Sequence, residues 1–178
     1  MAARRELLLV DADVLIDYAL ADVSILGLAA RHVGSVHVVR SVLEEVTQLA
    51  AGDCDRLGVR FVEPSLDQLL EAGAARGRLS FNDRLSLIVA RDAAWTCVTN
   101  DRALRRACGE HQVPVWWGLE LMLALVRVRE LEGEVALAVA QAIHASNPRH
   151  ISAEILERFA QEVGLAESPP AARRGEPA

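Results

Sequence analysis

The chain is punctuated by short apolar runs, each followed by a polar residue and then a stretch with helical spacing. Residues 7–10, 36–39, 59–62, 95–99 and 113–117 form the series. Apolar runs of this length without alternation predict strands buried on both faces. Helical segments are expected at residues 23–30, 42–50, 102–108, 119–131, 134–145 and 152–163. Ser41 is expected to open the helix over 42–50, with Gly52 ending it. Ser65 with Gln68, and Ser80 with Asp83, have capping-box spacing and predict two more helices. The first of these runs through Ala75 and closes around Gly77. Strands alternating with helices predict a three-layer α/β fold with a mostly parallel central sheet.

Domain organisation follows from the same pattern. Residues 1–131 are expected to form one α/β domain, 132–165 a helical extension packed on it, and 166–178 a disordered tail ending in SPPAARRGEPA. The helices after Trp117 bring no acidic set of their own and are expected to cover the sheet or form a partner surface.

Composition narrows the function classes. The net charge of −6 argues against a protein that coats nucleic acid through a basic surface. It leaves room for a nuclease whose metal neutralises acids at the scissile phosphate. Three cysteines, Cys54, Cys97 and Cys108, match neither paired zinc spacing nor a disulfide frame, and predict reduced core residues in a cytoplasmic protein. Arg4-Arg5 before an apolar run faintly suggests a signal peptide, but Asp11 and Asp13 interrupt it too early. No apolar stretch approaches the ~18 residues of a membrane span.

The candidate chemistry lies in carboxylates at strand ends. Asp11 closes the first run; a backbone-bonding Asx turn is its structural alternative. Asp13 lies on the same side if the chain stays extended there. In the pair Glu44-Glu45, Ser41 and Glu44 have capping spacing, so Glu44 is given the cap and Glu45, turned about 100° around the helix, the functional role. The two could be exchanged. Asp83 could serve in its capping box and Asp101 as an N-cap. Thr99 and Asn100 offer neutral oxygens beside Asp101. In a parallel sheet these junctions gather on one side. Carboxylates meeting in a cleft repel unless a cation joins them, and an all-oxygen set suits Mg2+ or Mn2+.

Four segments, VDADVLID (Asp11), SVLEEV (Glu45), SFNDRLSLIVA (Asp83) and VTNDRALRRA (Asp101), resemble in order those of the PIN-domain family, which includes VapC-type toxin ribonucleases. The likeness implies a Rossmann-like sheet and a Mg2+- or Mn2+-dependent endonuclease acting on single-stranded RNA. It also implies a homodimer inhibited by a cognate antitoxin. Asp11, Asp83 and Asp101 would bind metal, and Glu45 would ligate it or orient water. Arg102, Arg105 and Arg106 are candidate RNA contacts, with a solvated helix face as the alternative. One departure is Asp13, where the family usually carries Ser, Thr or Asn.

Two other readings stay open. Asp11-Ala12-Asp13 fits the Asp-x-Asp of haloacid-dehalogenase-like phosphatases, although the usual Gly-Thr after it and any lysine are missing. A PIN-like fold could also serve as a non-catalytic binding or scaffold module.

Overall fold

The computed structural model describes residues 6–74 and 77–167. The first half runs β1 (Glu6–Val10), α1 (Ala12–Ala21), α2 (Ser24–His32), β2 (Gly34–Val39), α3 (Arg40–Leu43), α4 (Ala51–Leu57) and β3 (Arg60–Val62). The helices α5 (Leu66–Ala74) and α6 (Phe81–Ala93) lead into β4 (Thr96–Val98), α7 (Arg102–Glu110) and β5 (Val115–Trp116). Three helices close the described chain: α8 (Gly118–Arg127), α9 (Gly133–Ser146) and α10 (Ala153–Glu167).

The five strands form one parallel sheet in the order β3-β2-β1-β4-β5. As its uninterrupted apolar run requires, β1 lies centrally, with Leu8, Leu9 and Val10 essentially inaccessible. Two sets of helices cover the sheet. One is α1, α2, α8 and α9, which contact one another; the other is α5, α6 and α7. The core is aliphatic and includes all three cysteines, which are free thiols. The extension is not a separate body, since α9 packs on α1 and α10 on α8. Its last helix continues to Glu167, past the expected boundary at 165. The tail expected beyond that, and the expected end of α5 at Ala75, lie outside the described residues.

Both capping boxes form. Ser65 Oγ accepts from Gln68 N–H while the Gln68 side chain accepts from Ser65 N–H, and Ser80 and Asp83 exchange the same pair of bonds.

The helix expected over 119–131 ends at Arg127, and two further segments depart from expectation. Where 42–50 was expected to be helical, only the single turn α3 forms, and Gly52 lies inside α4 instead of ending a helix. Ser41 lies inside α3, whose N-cap is Val39, so it is not placed to cap a helix over 42–50, and its hydroxyl donates to Asn82 Oδ1 at 2.8 Å. Glu44 therefore caps nothing as an N3 residue; it stands at the end of α3. The second departure is α1. The chain turns helical directly after Asp11, so Asp13 sits in a first helical turn and not on an extended segment.

Candidate metal-binding site

In a sheet ordered 3-2-1-4-5 the chain leaves β1 and β4 toward opposite sides, so a crevice opens between their C-terminal ends. The register pairs Val10 with Val98, and Asp11 N–H donates to Val98 O at 3.0 Å. Asp11 and Thr99 consequently stand side by side, with the Thr99 hydroxyl donating to Asp11 Oδ2 at 2.9 Å. The same hydroxyl oxygen accepts from Asp101 N–H at 3.1 Å. One threonine thus ties Asp11 to the Asp101 backbone across the two strand ends.

Asp11 is 5% exposed. Its Oδ1 accepts from Ala12 N–H at 2.8 Å, making it the N-cap of α1. Burial pushes its carboxyl up to about 7; the Thr99 bond offsets part of this, and the negative charges of Asp83 and Asp13 add to it. Asp13 is also raised, first by burial, with His150 opposing and Asp101 and Asp83 reinforcing. These mutual influences place the four aspartates in one field. A folded chain spends stability to keep such a group charged.

Asp83 and Asp101 each do structural work with one oxygen. Asp83 Oδ2 accepts from Ser80 N–H at 2.9 Å, and Asp101 Oδ1 accepts from Leu104 N–H at 2.7 Å as the N-cap of α7. The capping and electrostatic roles therefore coexist. Glu45 is exposed and is reached by Asn82 Nδ2, which also donates to Ser41 O at 3.3 Å. Asn82 thereby links Glu45 to the first turn of α6, one residue before Asp83.

The crevice also uses residues that sequence reasoning did not single out. Asp17, 3% exposed, accepts from Asn100 Nδ2 at 3.0 Å and from Asn147 Nδ2 at 2.9 Å. Asn100 Oδ1 in turn accepts from Gly118 N–H at 2.9 Å. A side chain at Gly118 would stand 3.0 Å from Asn100 and 3.2 Å from Val14, so glycine permits this approach. Burial raises the Asp17 carboxyl while the two asparagines oppose. His150 Nδ1 lies 3.2 Å from Asp13 Oδ2, close enough for charge pairing but not aligned as a hydrogen bond. Asn147 and His150 both come from the C-terminal extension. Once α1 is helical, Asp13 and Asp17 fall at i and i+4 on one face, a signal present in the sequence. Nothing local marks Asn147 or His150.

The three arginines of α7 separate. The Arg105 guanidinium lies 3.8 Å over the Trp117 ring and donates to Thr99 O at 3.3 Å, so it braces the crevice from within. Arg102 and Arg106 are exposed.

The donor chemistry, carboxylates with a hydroxyl and amide oxygens nearby, fits a hard divalent cation. Among the described residues, no three His, Cys, Asp or Glu side chains are grouped closely enough to hold a metal ion. Magnesium commonly takes only one or two protein carboxylates and keeps several waters, so a complete protein cage is not required. Comparison with family models, curated proteins and solved structures finds no match to this chain.

Proposed function

We propose that the protein is a divalent-metal-dependent endoribonuclease. The observation that carries the reading is the buried Asp11 carboxyl at the β1–β4 switch point, tied through Thr99 to the Asp101 backbone, with the charges of Asp83 and Asp13 acting on it. In this reading Asp11 and Asp101, joined through Thr99, would hold Mg2+ or Mn2+ together with several waters, and Asp83 adds its negative charge nearby. A bound ion supplies acidified water and charge neutralisation for phosphodiester hydrolysis. Thr99 fixes the direction of Asp11 Oδ2. Glu45, steadied by Asn82, orients the attacking water from the β2 side. Asn100 and Asp17 hold the strand end against Gly118. The order of the four acid segments along the chain supports the narrower proposal of a toxin nuclease, working as a homodimer with an antitoxin partner.

The test is incubation of the purified chain with structured and unstructured RNAs, in Mn2+ or in chelator, beside the Asp11→Asn/Asp101→Asn double variant. Metal-dependent cleavage lost in the double variant is expected. Equal cleavage by both proteins would overturn the assignment. A parallel arm with p-nitrophenyl phosphate separates the phosphatase reading, in which Asp13→Asn abolishes turnover. In a nuclease centred on Asp11, Asp83 and Asp101, Asp13→Asn retains much of the activity.

A further inference from the structure

On the α5–α6–α7 side of the sheet, two helical stripes face each other across a cavity of about 330 Å³. Arg84, Leu87, Ile88 and Arg91 come from α6; Ala103, Arg106, Ala107 and Glu110 come from α7. Both sets repeat at i, i+3, i+4 and i+7, the spacing of a single helix face, and span about 10 Å of helix. The floor is apolar and is kept open by the two alanines. Arg84 follows Asp83 directly, and Ala103 is two residues beyond Asp101, so the groove begins within a turn of the acidic crevice.

The cations here are not equivalent. Arg91 is neutralised by Glu71, at 2.7 and 2.9 Å, and by Asp92. Arg84 instead donates Nε to Ala72 O at 2.8 Å and Nη1 to Leu79 O at 2.5 Å. Those partners are uncharged, so its guanidinium is fixed in direction and keeps its full charge. Among the described residues, Arg78, Arg84 and Arg106 have no acidic side chain at ion-pair distance. In a chain of net charge −6, three such arginines around an apolar floor mark a place for an anion. Glu110 and His111 border the same groove.

We propose that this groove binds a nucleotide, its base on the floor of Leu87, Ile88, Ala103 and Ala107 and its phosphate on Arg84 and Arg106. The volume lies at the small end of ligand pockets, enough for one nucleotide and too little for a docked helix. Guanidinium groups match phosphate through paired N–H donors. The nucleotide could be free or one unit of a single strand passing the acidic crevice. The shared chemistry is a base with a phosphate.

The proposal does not rest on cleavage, and its test is run in chelator. Calorimetric titration with adenosine 5′-monophosphate, and separately with a short single-stranded oligonucleotide, reads the two sources. Saturable binding of either supports the site, and the tighter ligand identifies the source. Arg106→Glu is expected to weaken binding at least about tenfold, the loss of one charge-assisted contact. Ala107→Leu fills the floor without altering charge and is expected to weaken it similarly; circular dichroism checks that both variants fold. Binding of neither nucleotide, or binding unchanged in both variants, overturns the proposal. Saturable binding of a glutamate-rich peptide where neither nucleotide binds overturns it in favour of an acidic protein partner. RNA cleavage that persists without groove binding leaves the acidic crevice's role intact.

Discussion

Replacing Asp11 by Asn tests whether this carboxylate is held against its own charge. An ordinary aspartate titrates near 3.8, and Asp11 is pushed up to about 7. At about 1.4 kcal/mol per pH unit, keeping it ionised in the folded chain costs roughly 4 kcal/mol. The sign follows from proton binding. The folded chain holds this proton more tightly than the unfolded one, so the associated stability is fully present below about pH 4. It is lost as pH rises toward 7. Asparagine removes the titration and keeps an oxygen for Ala12 N–H, and the Thr99 bond to the charged form is already counted in the net shift. The expectation is a variant more stable than the parent by roughly 4 kcal/mol at pH 8 in chelator. Urea unfolding at pH 8 and pH 4.5 measures it, and the advantage should shrink by about 3 kcal/mol at the lower pH, where the folded parent is protonated. Saturating Mn2+ at about 100 times its Kd should then add about 2.7 kcal/mol to the parent and much less to the variant. A variant less stable by the same amount at both pH values would refute the reasoning.

Asn147→Ala strips one of the two donors from the buried Asp17 carboxylate. Urea unfolding at pH 7 should show a loss of about 1.5–3 kcal/mol; an unchanged midpoint would mean that Asp17 does not depend on the C-terminal extension. Gly34→Ala places a Cβ 2.3 Å from Glu6 O on the paired strand. Because backbone must move, a loss of about 2 kcal/mol or more is expected in thermal melting, and a melting temperature equal to the parent's would contradict the close approach.

The strands and their order of appearance were legible because an uninterrupted apolar run carries its own signal. So were the caps at Ser65 and Ser80, whose partners lie three residues away. The helix opening at Ser41 was misread for an instructive reason. The chain turns over Arg40–Leu43 with Val39 as N-cap, so Ser41 falls inside the turn, and its hydroxyl donates to Asn82, 41 residues further on, a partner that no local pattern announces. The α1 helix was obscured because residues 14–16 read as one more apolar run, although Val14, Leu15 and Tyr18, all buried, have helical spacing.

The candidate site divides in the same way. The sequence by itself determined which acids stand at strand and helix ends, because those positions follow from apolar runs and from capping bonds a few residues long. Only the tertiary structure decided that Asp11 is the buried one, that Asp17 joins Asn100 and Asn147, and that His150 reaches Asp13. Desolvation and charge repulsion sum over segments far apart in the chain, so a carboxylate's environment exists only once β1, β4, α1 and α9 have packed together.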